Sequence, residues 1–370
     1  MKIYNAKVFH KGSFSKTAID FDEKVQGFEA QDGIDAKGAY IIPGLIDVHT
    51  HGAVGIDGSD CVAEEVPQLG RYYAQRGVTS FLFTTMTISR EELERQMHVV
   101  RGFERPNDSA RLAGVHLEGP FLSYAKRGAQ KAEALQRPNI EMLRSLNEIS
   151  GGKVKLITVA PEIEGALDFI REAKDVCTVS LGHSTADYEE AMKGFEAGAT
   201  HVTHLFNGMQ PFHHRDPGLV GAALDAGAYV ELICDGFHIH PAMIMATYKM
   251  FGDKLVIISD SLRCAGMPDG DYDLAGQPIV VKNGQARLLD GTIAGSSSNL
   301  LEELKNVVSY GMPIEDAILS MTAVPAKDLG LDELGELSEG KRADFIVLDE
   351  KLNLLATVID GKLAHGSLEF

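Results

Sequence analysis

The chain has 370 residues, of which 44% are hydrophobic and 24% charged, the balance of a folded protein long enough to bury a large core without staples. With 35 Lys and Arg against 53 Asp and Glu, the net charge is −18. That argues against nonspecific binding to nucleic acid or an anionic membrane, but a few local cations would still suffice to hold an anionic small substrate. No apolar run approaches the ~18 residues of a membrane helix, and the first residues lack the apolar core of a signal peptide. The four cysteines (Cys61, Cys177, Cys234 and Cys264) form no CxxC pair, so a reduced, cytoplasmic protein is expected.

In chain order, residues 1 to about 38 read as short strands and turns, beginning with a strand over 2–9. The far end has a matching character, with a strand over 343–349 and a hairpin turned by Asp360-Gly361. The two termini are expected to pair into one small β-sandwich domain, residues 1–41 plus 339–370, split by a catalytic unit over 42–338. That middle alternates strand and helix. An apolar strand from Ile41 ends in His49-Thr50-His51, and further strands are predicted over 77–85, 112–120, 154–160, 177–181, 199–206, 229–234 and 254–259. Helix patterns include 62–75 and 90–104. Eight near-continuous apolar strands interleaved with helices fit a (β/α)₈ TIM barrel. A doubly wound open sheet is the main competitor. The segment 268–291, with a strand-like Pro278-Ile279-Val280-Val281 and an Asn283-Gly284 turn, reads as an insertion near the barrel mouth. Two helices follow, over 299–310 and 313–323.

Chemistry collects at the strand ends. Side chains two apart on a strand share a face, so His49 and His51 reach one point past the first strand. Glu118 ends the third strand, His183 the fifth, His204 the sixth and Asp260 the eighth. A barrel gathers these ends into one ring, and four imidazoles with two carboxylates can hold one or two divalent metals. Such a metal lowers the pKa of water from about 15.7 to roughly 7 and polarises a carbonyl. A neighbouring carboxylate, assigned here to Asp260, can take the water's proton and pass it to a leaving amine. The reaction class is hydrolysis of an amide or related C–N bond.

The run Pro43-Gly44-Leu45-Ile46-Asp47-Val48-His49-Thr50-His51-Gly52 resembles the entry motif of the amidohydrolase superfamily. His116-Leu117-Glu118-Gly119-Pro120-Phe121, Gly182-His183-Ser184, Thr203-His204-Leu205-Phe206-Asn207-Gly208-Met209, Asp235-Gly236-Phe237-His238 and Gly295-Ser296 narrow the likeness, over essentially the whole chain, to its N-acetylglucosamine-6-phosphate deacetylase family. The resemblance implies Glu118, His183 and His204 as ligands of the main metal, Asp260 as catalytic acid/base, and His238 as a sugar contact that polarises the acetyl carbonyl. Because His49 and His51 are both present, it also implies a second metal bridged by Glu118. The metal is left open between zinc, iron, manganese and cobalt. The fourth strand lacks the carbamylated lysine of the hydantoinase and urease-like branches. Asn207 and Gly208 are implied to hold the phosphate of an amino-sugar phosphate. Arg215 is implied to reach it from a neighbouring subunit of a homodimer or homotetramer. Ala129 and Gln130 belong to a sugar-contacting turn; some members carry histidine where this chain has Gln130. The implied activity converts N-acetyl-D-glucosamine 6-phosphate to D-glucosamine 6-phosphate and acetate, in amino-sugar catabolism and cell-wall sugar recycling. The alternatives are a deaminase or cyclic amidase on the same barrel, and a noncatalytic scaffold. His201, His240 and Cys264 read as structural.

Overall fold

In the computed structural model, which describes residues 1–369, the run leading to His49 is divided between two sheets. Tyr40–Pro43 pairs antiparallel with Phe345–Leu348, while Leu45–Thr50 opens the central sheet. Gly44 is the junction. A Cβ there would run into the Thr79 side chain, so glycine is what lets the chain pass this close. The single strand expected over this stretch is therefore two, because the pleat breaks where the backbone changes sheets.

The central sheet has eight parallel strands, hydrogen-bonded in chain order: Leu45–Thr50, Val78–Thr85, Arg111–Phe121, Val154–Val159, Thr178–Leu181, His201–Val202, Tyr229–Ile233 and Leu255–Ile258. We refer to them as the first to eighth barrel strands. Helices lie between them, among them Val66–Ala74, Arg90–Gly102, Ile140–Ile149 and Tyr188–Ala197. Eighth and first strands meet at a seam. The Asp260 amide donates to the His49 carbonyl (2.9 Å), and Ser259 Oγ donates to Asp47 Oδ2 (2.6 Å). All eight residues of the second strand are buried, as helices outside and side chains inside a barrel require. The sixth strand is much shorter than its apolar run predicts: His204 and Phe206 take positive φ (28° and 77°), so the chain leaves the sheet early.

The termini form a separate eight-stranded sheet, in which Leu354–Ile359 joins Phe345–Leu348 and Lys2–His10 joins Ser13–Phe21. It has its own core, including Ile3, Ile19, Phe21, Phe345 and Val358. Asp360 and Gly361 both have positive φ (52° and 68°), the backbone of a two-residue hairpin turn. The insertion is larger than the hairpin expected. Gly270–Leu274, Gln277–Lys282, Gln285–Leu288 and Ile293–Ser296 make a four-stranded antiparallel sheet. Its first strand, Gly-Asp-Tyr-Asp-Leu, is too polar and too exposed to show a strand's alternation. No described helix is long and apolar enough to cross a membrane.

Candidate metal centre

The six strand-end side chains named from the sequence converge at the barrel mouth. His49, His51, Glu118, His183, His204 and Asp260 are each at most 7% exposed. Glu118 is the hub. Its Oε1 lies 3.0 Å from His183 Nε2, 2.9 Å from His204 Nε2 and 3.6 Å from His49 Nε2, and its Oε2 lies 3.2 Å from His51 Nε2. Asp260 Oδ1 closes the group, 3.5 Å from His49 Nε2 and 3.3 Å from His51 Nε2. His183, His204 and Asp260 all have positive φ (48°, 28° and 47°). For residues other than glycine this backbone costs on the order of 1–3 kcal/mol, and it persists where function needs a side chain turned back toward a site.

The rings are aimed from behind. His49 Nδ1 is 2.8 Å from Glu231 Oε2, and His183 Nδ1 donates to the Lys126 carbonyl at 2.8 Å. In these two rings Nδ1 has a partner and Nε2 faces inward, while the buried Nδ1 atoms of His51 and His204 have none. Two Nε2 atoms, of His183 and His204, stand 3.1 Å apart, and those of His49 and His51 stand 3.3 Å apart. Ring nitrogens come this close around a shared cation or proton. Two groups able to hold a metal result, Glu118–His183–His204 and His49–His51–Glu118, and both fit a divalent cation in donor type and spacing. Burial by itself would raise the Glu118 carboxyl, but the facing histidines hold it well below its usual range. Burial also opposes the Asp260 charge, and His49 and His51 outweigh it, so Asp260 stays ionised. Behind His49, burial would lower His201, but Asp328 and Glu231 raise it to about 10.

Beside the cluster lies a cavity of about 240 Å³. His238 faces it. Its Nδ1 is 2.7 Å from Asp235 Oδ2, and its buried Nε2 has no partner. Burial works against the Asp235 charge, but His238 and two backbone amides lower its pKa, so it remains a carboxylate. Ala129, Gln130, Asn207 and Gly208 also line the cavity. Gln130 is directed at the cluster: its Nε2 donates to Glu118 Oε2 (2.5 Å), and its Oε1 accepts from the Thr87 amide (2.6 Å). Arg215 is not brought here. It is exposed, its guanidinium on His214 Nε2 (2.8 Å), beside a separate depression with His213 and Asp216.

Sequence reasoning missed several contributors. Leu274, Thr292, Ile293 and Ala294 of the insertion line the cavity, and Met86 does so past the second strand; as apolar or small residues they carry no chemical signature. Glu231 did leave a signal, a lone charge within Tyr-Val-Glu-Leu-Ile. A buried carboxylate in such a strand needs a partner.

A closed ring of parallel strands with histidines and carboxylates gathered at its C-terminal mouth defines a hydrolase barrel built to hold metal. The chain belongs to the amidohydrolase family, whose pattern matches residues 40–364, and it is a hydrolase. It is 36% identical to the N-acetylglucosamine-6-phosphate deacetylase of Lysinibacillus sphaericus, over 90% of this chain and 87% of that one. It is also 36% identical to the N-acetylgalactosamine-6-phosphate deacetylase of Escherichia coli O157:H7, over 88% and 87%. Among solved structures, the N-acetylglucosamine-6-phosphate deacetylase of Thermotoga maritima superposes with a TM-score of 0.91 at 33% identity, covering 99% of this chain and 100% of that one.

Proposed function

We propose that this chain hydrolyses the acetamide of N-acetyl-D-glucosamine 6-phosphate to D-glucosamine 6-phosphate and acetate, in cytoplasmic amino-sugar catabolism and cell-wall sugar recycling. The observation that carries the reading is one cavity in which His238 and Asp260 flank two histidine–carboxylate groups sharing Glu118. Deacetylases matched over most of the chain support it. Residues 42–338 are read as the catalytic unit, with 1–41 and 339–370 as its companion.

Glu118, His183 and His204 are read as ligands of the main metal. His49 and His51, with Glu118, are read as a second position, and Asp260 stands at its edge. Zinc, iron, manganese or cobalt held there would acidify water and polarise the acetyl carbonyl. Asp260, ionised and buried, accepts the attacking water's proton and then delivers it to the amine as the C–N bond breaks. His238, its Nδ1 held by Asp235 and its unpartnered Nε2 turned into the cavity, is placed to meet the developing oxyanion. Ala129 and Gln130 wall the sugar; Asn207 and Gly208 hold the phosphate end. Among the described residues lining the cavity none is Lys or Arg, so the phosphate needs a cation from elsewhere. Arg215 of a neighbouring subunit, in a homodimer or homotetramer, supplies it through a planar two-bond fork.

The test is turnover of N-acetylglucosamine with and without its 6-phosphate. A strong preference for the phosphorylated sugar is expected, and equal rates would sink the reading. The relative from Escherichia coli O157:H7 favours one variant, the C4 epimer N-acetylgalactosamine 6-phosphate, measured in the same assay.

A further inference from the structure

Nothing in the chemistry above uses Glu231, His201 or Asp328, yet they form one buried line through the barrel. Asp328 Oδ2 is 2.5 Å from His201 Nδ1. His201 Nε2 is 3.1 Å from Glu231 Oε1, an ion pair without the alignment of a straight hydrogen bond. Glu231 Oε2 is 2.8 Å from His49 Nδ1 and also accepts from the His204 amide at 3.0 Å. The line starts at the barrel's closed end. His201 is the first residue of the sixth strand, and the Asp328 carbonyl faces Thr178 Oγ1 (3.4 Å), the first residue of the fifth. The side chains of His201 and Glu231 are 0% exposed and that of Asp328 is 3%.

Two carboxyl groups and an imidazole in a barrel core are costly to desolvate, and packing does not require them, since apolar layers fill such interiors. Their return is orientation. His201 faces a carboxyl oxygen with each ring nitrogen. Glu231, held by it, turns one oxygen onto both His49 and the backbone of His204. That fixes the His49 tautomer with a proton on Nδ1 and makes Nε2 a stronger donor, the arrangement by which an outer carboxylate raises metal affinity.

We propose that Glu231 is a positioning residue for His49, anchored through His201 by Asp328 at the opposite end of the barrel, and that this line sets the metal affinity of the His49–His51–Glu118 position. The inference rests on reading that position as a metal site. The test uses the full chain stripped of metal and titrated with zinc against a chromogenic chelator. The equivalent lost in His51→Ala identifies the first-strand position.

Glu231→Gln is expected to weaken that equivalent about 10- to 100-fold while the other equivalent keeps its affinity. Asp328→Asn, remote from every ligand, is expected to weaken the same equivalent by a smaller factor. Unchanged affinities in both variants overturn the proposal. So does loss of both equivalents together, which would make the line merely structural. A parent chain that binds one equivalent sinks the two-metal reading and this inference with it; a parent that binds two beside unaffected variants sinks the inference alone.

Discussion

Asp260 shows how much one backbone angle decides. At φ 47° its carboxylate turns back over the seam between first and eighth strands, within 3.5 Å of His49 and His51. Asp260→Asn keeps that volume and loses the proton acceptor. It should fold and hold metal on Glu118, His183 and His204, with kcat reduced by about 10²–10⁴-fold. Steady-state rates beside metal analysis check this, and near-parental turnover would remove Asp260 from its role. Gly208 decides by what it lacks. Its φ is 62°, and a Cβ would sit 3.0 Å from His183 Nδ1 and 3.3 Å from the Lys126 carbonyl, across the bond that aims the ring. Gly208→Ala is expected to weaken zinc binding by about 10-fold or more, with little change in far-UV circular dichroism.

At the scale of elements, the crossing at Gly44 ties the small sheet to the first barrel strand, five residues before His49. Its amide donates to the Asp344 carbonyl (3.0 Å), and Thr79 of the second strand fills the space a Cβ would take. Gly44→Ala forces overpacking and should cost about 1–3 kcal/mol, read as a lower urea midpoint. Thr79→Ala in the same chain should return part of that loss, since the clash is with its side chain. Additive effects in the double variant would show that Gly44 is kept for another reason. The insertion works differently: its last strand and the turn before it supply cavity wall, and Gln277 Nε2 donates to the Ala129 carbonyl (2.6 Å), pinning the loop beside Gln130.

Across the whole molecule, the terminal sheet is bolted to the barrel by charge. Asp360, in the last hairpin turn, receives Arg105 and Arg111 from the barrel and Arg342 from its own side, and Arg111 also pairs with Asp344. Burial would raise the Asp360 carboxyl, but Arg111, Arg342 and Arg105 hold it below 3.8. An acid whose pKa is depressed by folding stabilises the native state above its unfolded value and loses that contribution as pH falls through the folded one. Asp360→Asn suits the same turn, yet it should cost about 1–3 kcal/mol at neutral pH, because Arg105 loses its carboxylate partner while Arg111 keeps Asp344 and Arg342 keeps Glu333. The gap to the parent should narrow as pH falls below about 4, because the unfolded parent then takes up a proton on Asp360 that the folded parent, with its carboxyl held lower, still resists. Urea unfolding at neutral and acid pH checks this, and a gap constant across that range would sink it.

Local pattern was enough for much of this. The two-residue period of a strand put His49 and His51 on one face, eight apolar runs counted out a barrel, and the polar residues ending most of them marked its mouth. Such features depend on near neighbours in the chain, so they survive in one dimension. The split of the first strand, the two-residue sixth strand, the apolar cavity wall and the line from Asp328 to His49 depend on what lies opposite, up to hundreds of residues away. Asp328 and His201 are 127 positions apart, and Glu231 and His49 are 182. Only closure of the ring makes those pairs neighbours, and only burial turns an isolated glutamate in an apolar strand into a charge that must be answered.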